Sequence, residues 1–105
     1  MAKKKTSKSK KRRRRGPMEA LFARRGTWVQ GRFAENIDGV PVFAWRRECV
    51  KWCVLGALTR CYGADNGPAF EKLAAVLGSR ELAEWNDRPE RTQKEVLELC
   101  RKAGV

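Results

Sequence analysis

The sequence predicts a mainly α, small α+β fold: about four helices around a buried central helix at 45–62, with a short β-hairpin near 27–43. Three observations carry this reading. The stretch from Trp45 to Tyr62, WRRECVKWCVLGALTRCY, is the longest apolar segment and holds three of the four cysteines and two of the four tryptophans. Apolar residues recur at helical spacing in further segments on either side of it. Between them, Asp38-Gly39 is a turn signal separating two runs that favour extended backbone. One hundred and five residues allow a single small domain.

Residues 1–16, MAKKKTSKSKKRRRRG, have no apolar residue after Ala2. They bury nothing that would offset the entropy of ordering, so a disordered basic tail is expected ahead of one globular domain at 17–105. Pro17 suits the first turn of a helix. Met18, Leu21 and Phe22 then mark a short helix that stops at Gly26. Thr27 to Phe33 reads as a strand and Val40 to Phe43 as its return, with Pro41 confining that return to an edge or a short pairing.

At 100° per residue, most of the circumference of a helix over 45–62 is apolar, so it is expected to be buried on most sides. Beyond it, Pro68 opens a helix with Phe70, Leu73, Ala74 and Leu77 on one face, ended by Gly78. Ser79 is placed to cap a single turn through Trp85. Thr92 and Glu95 form a capping box that fixes the start of the last helix, whose apolar face is Val96, Leu99, Cys100 and Ala103.

The net charge of +12 divides unevenly. The first sixteen residues carry ten cations (Lys3, Lys4, Lys5, Lys8, Lys10, Lys11, Arg12, Arg13, Arg14 and Arg15) and no acid. The remaining fourteen cations are set against all twelve acids, leaving +2. The charge therefore licenses a claim about the tail and not about a basic face on the domain. A block of like charge of this density reads as a nucleic-acid-binding tail that neutralises backbone phosphates. No aromatic residue is interleaved with it, so neither base stacking nor sequence readout is expected from the tail itself. No apolar run is long enough to span a membrane, and the basic start is not followed by the apolar region of a secretory signal. A cytoplasmic or nucleoid placement is expected.

The cysteines are the obvious metal candidates, and their angles argue against it. On one helix Cys49 and Cys53 lie about 40° apart, while Cys61 lies about 80° from Cys53 and about 120° from Cys49. With no histidine in the chain and no C-x-x-C spacing, core packing is the expected role and no metal or cofactor is assigned. Gly56 in mid-helix costs about 1 kcal/mol relative to alanine, so close approach of another group is expected there. Trp85 is the expected neighbour, with Arg60 reaching an acid such as Asp87 or Asp65. Cys53, Gly56, Arg60, Trp85, Asn86, Asp87 and Thr92 are accordingly read as structural.

Trp28 with Gln30-Gly31, Asp38-Gly39, Trp52-Cys53 with Gly56-Ala57-Leu58, and Trp85-Asn86-Asp87 followed by Thr92 and Val96 together resemble a small uncharacterised domain family. It occurs in bacteria and their phages and is catalogued as a domain of unknown function. The W-x-x-x-G-A-L (Trp52–Leu58) and W-N-D blocks are the specific parts, over about residues 18–104. The resemblance implies a bacterial or phage origin and no activity or site. No base adjoins Asn86, Asp87 and Thr92 in sequence, and neither a phosphate loop nor a nucleophile elbow is present, so no catalytic residue is assigned.

The expected function is a non-enzymatic nucleic-acid-associated accessory protein acting through its tail. The alternative is a protein–protein interaction module, a phage or mobile-element factor acting on a host protein, with the tail only steering or solubilising. Trp28, Gln30 and Phe33 are then the expected partner surface.

Overall fold

A computed structural model describes residues 15–105. Of the expected tail, Lys3, Lys4, Lys5, Lys8, Lys10, Lys11 and Arg12–Arg14 lie outside the described residues. Among those described the elements are α1 (Pro17–Phe22), β1 (Ala34–Asn36), β2 (Cys49–Trp52), α2 (Val54–Tyr62), α3 (Gly67–Leu77), α4 (Leu82–Asn86) and α5 (Gln93–Ala103), with one 3-10 turn at Gly63–Asp65. The small, mainly helical α+β class holds.

The central segment differs from the expected single helix at 45–62. It is a strand followed by a helix. Cys53 stands between them in extended conformation, φ −81° and ψ 177°, so no helix runs through it. An apolar run this dense has no single period, and the strand and the helix each bury their share of it. Cys49 and Trp52 are buried from β2, and Val54, Ala57 and Leu58 from α2. The angular argument for the cysteines therefore fails for Cys49 and Cys53, because Cys49 is on the strand and Cys53 caps the helix. Its Sγ accepts the Gly56 N–H at 3.3 Å, satisfying one of the amides that every helix start leaves open.

The hairpin also shifts. Its first strand is not Thr27–Phe33 but β1, which pairs antiparallel with β2 in the register Ala34↔Trp52, Glu35↔Lys51 and Asn36↔Cys49, with an irregularity between Glu35 and Asn36. The turn at Asp38-Gly39 is where it was expected. Asn36 Oδ1 accepts from Asp38 N and Val40 N at 2.9 and 3.0 Å, and Gly39 has φ 78°, a conformation glycine adopts without strain. The returning chain touches β1 through an isolated Glu35↔Pro41 bridge, because proline supplies no N–H to continue a ladder. On its other side β2 exchanges hydrogen bonds with residues 27–29: Trp52 N–H to Thr27 O at 2.8 Å and Val29 N–H to Trp52 O at 3.1 Å.

The helices pack as their apolar spacing dictates. α5 lies against both α1 and α3, and α2 against α1, α3 and α4. The capping box of Thr92 and Glu95 is formed in both directions, and left-handed Gly78 and Gly104 end α3 and α5. Ser79 does not cap α4, whose N-cap is Glu81; its Oγ accepts the Glu81 N–H one residue outside the helix. Met18, Phe22, Val54, Leu58, Leu73, Leu82, Val96 and Cys100 form the centre of the core.

Close approach at Gly56 is real, but the neighbour is not Trp85. A Cβ at Gly56 would lie 2.0 Å from Phe33 O, and the same carbonyl accepts the Cys53 N–H at 3.0 Å. The glycine thus lets the chain entering β1 lie directly on the first turn of α2. Gly56→Ala is expected to force the two apart and cost about 1–3 kcal/mol, the range for overpacking a well-filled site. A denaturant midpoint giving less than about 0.5 kcal/mol of destabilisation would contradict this contact.

Candidate functional site

Two polar and aromatic assemblies account for the residues singled out in the sequence. The first is built on Asn86, the last residue of α4 and fully buried. A buried amide needs its donors and acceptors matched. Its Oδ1 accepts the Trp28 indole N–H at 2.7 Å and the Val54 N–H at 3.1 Å. Its Nδ2 donates to Val29 O at 3.2 Å and to Asp87 Oδ1 at 2.9 Å. One side chain therefore joins α4, the start of α2 and the segment 28–29.

The flanking residues extend the joint. Asp87 Oδ1 also accepts the Gly31 N–H at 2.9 Å. Gln30 Nε2 donates to Asn86 O and Arg88 O at 3.0 and 2.6 Å. The Arg91 guanidinium lies 4.0 Å from the centroid of the Trp85 ring, and its Nε donates to Trp85 O at 2.8 Å. Trp28 and Gln30, expected on a partner surface, instead direct their polar atoms inward at this joint. Asp87 bonds the 30–31 segment rather than Arg60.

Arg60 belongs to the second assembly. Its guanidinium lies 5.2 Å from the Trp52 ring centroid and donates to Arg46 O at 3.1 Å and Ala44 O at 3.4 Å. The Trp52 indole N–H donates to the same Ala44 carbonyl at 2.9 Å. These bonds fix the backbone of residues 44–46. With Ala44 buried, Phe43 and Trp45 project outward on either side of it, 63% and 60% exposed. Their rings stack with centroids 4.5 Å apart and planes 13° from parallel.

Phe33, 61% exposed, stands with them around an open groove of about 760 Å³ floored by Gly56 and Thr59. Arg32 and Arg46 also line it. Arg32 pairs with Glu35 at 3.4 Å and Arg46 with Glu48 at 3.2 Å. The Glu48 carboxyl is held below the usual carboxylate range by a backbone N–H and by Arg46. Of this groove, sequence reasoning picked out Phe33 as partner surface and Gly56 as a structural position. The signal for the rest is Phe43-Ala44-Trp45-Arg46-Arg47, where aromatics alternate and arginines follow; assigning Trp45 to a helix hid that alternation.

Of the tail cations, Arg15 is described, with its guanidinium 3.7 Å from the buried carboxylate of Glu19, which Arg101 approaches at the same distance. The four cysteines are free thiols, three of them buried. Burial raises all four above the ordinary thiol range, Cys100 to about 12. They are protonated at neutral pH, which suits packing and disfavours nucleophilic attack.

A family model matches residues 18–104, a span that takes in the hairpin, the groove and the whole Asn86 joint. The chain belongs to DUF6197, a family of unknown function. The match starts just inside α1, and the ten cations of residues 1–16 lie ahead of it in sequence. No curated protein and no solved structure matches the chain.

Replacing Asn86 with leucine is expected to leave the Trp28 and Val54 N–H groups and the Val29 carbonyl without their partner. At about 1–3 kcal/mol for each stranded group, without strict additivity, the loss is on the order of 3 kcal/mol or more. Chemical denaturation measures it, and a neutral Asn86→Leu would refute the assignment of this amide as the joint. A second expectation concerns pH. Cys100 is raised on folding, so its contribution to stability is complete below the unfolded thiol value and is lost as pH rises from about 9 toward 12. Melting temperatures across that window should fall less steeply for Cys100→Ala than for the native chain; parallel curves would contradict it.

Proposed function

We propose that this protein is a non-enzymatic nucleic-acid-associated accessory factor of a bacterial or phage cytosol, holding DNA or RNA through backbone phosphates. The observation that carries the reading is the division of charge: ten cations and no acid in residues 1–16, against a net +2 in the rest. Lys3, Lys4, Lys5, Lys8, Lys10, Lys11 and Arg12–Arg15 are the proposed phosphate ligands. Such contacts release condensed counterions and need no folded site. The domain supports the division of labour, since the polar side chains of its Asn86 joint are engaged with one another and its thiols are protonated.

A second reading, a protein-interaction module with a merely solubilising tail, is favoured by one observation, the exposed aromatic groove beside Phe43 and Trp45. Salt separates the two. If about six to ten phosphates are engaged, the logarithm of the binding constant falls with the logarithm of salt at a slope of about −5 to −9. Deleting residues 1–14 keeps Gly16 and the Arg15–Glu19 pair and is expected to abolish retention on DNA or RNA at low salt. Equal binding by the shortened chain would overturn the proposal.

A further inference from the structure

The groove beside Phe43 and Trp45 is a feature that the proposed phosphate-binding tail leaves unexplained. Three aromatic rings, Phe33, Phe43 and Trp45, each stand about 60% exposed around it. Exposed aromatics gathered in one place are a binding surface more often than an accident of folding. Here they are also held in place. Arg60 and the Trp52 indole fix the intervening backbone at Ala44 and Arg46, so the Phe43–Trp45 column needs no rearrangement to receive a ligand.

Its shape and charge select the ligand. Two rings stacked within 13° of parallel present flat π-faces, and a further flat ring extends such a column. The ionised groups along the groove are mainly cationic. Arg32 and Arg46 line it, and Arg47 follows directly and has no ion-pair partner among the described residues. Arg32 and Arg46 are each paired with one carboxylate, Glu35 and Glu48, and Glu48 lines the groove with them, so the excess positive charge beside the groove is that of Arg47. A nucleotide joins a flat ring to an anion and so matches both features. In a duplex the base faces are hidden in the stack, so only an unpaired strand offers them. Base stacking on protein aromatics beside a cationic backbone path is the general device for single strands.

We infer that this groove receives an unstacked base of single-stranded nucleic acid, Phe43 and Trp45 stacking on it while Arg46 and Arg47 meet the adjoining phosphates. This rests on the nucleic-acid reading above and deepens it from polyanion to single strand. The groove is floored by α2, against which α1 packs.

The test uses the full chain and a labelled oligothymidylate of about 20 nucleotides, alone and paired with its complement, near 0.2 M salt. The Phe43→Ala, Trp45→Ala double variant should lose about 5- to 150-fold in single-strand affinity, the equivalent of about 1–3 kcal/mol for one stacked base. Its duplex affinity should stay within about twofold, and Trp45→Phe should restore most of the loss because it restores a ring. Both exchanged side chains are largely exposed, so an unchanged melting curve is expected alongside.

A full chain with Arg12, Arg13 and Arg14 changed to glutamine should weaken single strand and duplex alike. If it does so while the double variant changes neither, the groove inference is overturned and the tail reading stands. If the intact protein binds neither probe, both fall. A native dimer that the double variant dissolves in sedimentation, or Trp45 fluorescence quenched by an acidic amphipathic peptide and not by the oligothymidylate, would assign the groove to a protein and overturn the inference.

Discussion

The buried amide of Asn86 is the constraint on which the rest of the domain depends. Neither the segment 27–31 nor the five-residue helix α4 is long enough to be stable by itself. Both are held because a single side chain satisfies the Trp28 indole, the first amide of α2 and the carbonyl of Val29 at once. In a low-dielectric interior each of these groups is costly when unpaired, so the network has essentially one good arrangement. It sets where α2 begins. It also sets where the 27–31 chain crosses β2.

That arrangement propagates outward through backbone contacts. With α2 beginning at Val54, Cys53 is left extended, and its N–H reaches Phe33 O. Gly56 then lets that carbonyl lie on the first turn of the helix. β1 follows directly, and its turn at Asn36–Gly39 returns the chain across the front of α2. Arg60, one turn along α2, catches the returning backbone at Ala44 and Arg46. The aromatic groove is thus a consequence of how the strand β2 and the helix α2 divide one apolar run. Were residues 45–62 one continuous helix, Phe43 and Trp45 would have no loop to stand on.

The two proposed elements would obey different physics. On the proposed reading the basic segment acts through charge density, which is sensitive to salt. The proposed groove contact would act through shape and the π-faces of exposed rings, which salt screens little. Under that proposal the tail would bring a polyanion close without choosing among polyanions, and the groove would discriminate.

The sequence by itself determined the fold class, four of the helical segments, the capping box at Thr92, the Asp38-Gly39 turn and the division of charge. Each is a local property: a period, a cap, a turn residue or a count. It also located the close approach at Gly56 and the residues of the W-N-D block. Their partners were decided only by the tertiary structure. Hydrogen-bond geometry between residues 28 and 86, or 33 and 53, has no signature in either segment alone. The split of the central stretch into strand and helix was likewise not legible, because a segment buried by both elements is apolar in every period. The Phe43–Trp45 stack became visible only once the Ala44 and Arg46 carbonyls had been fixed by side chains from β2 and α2.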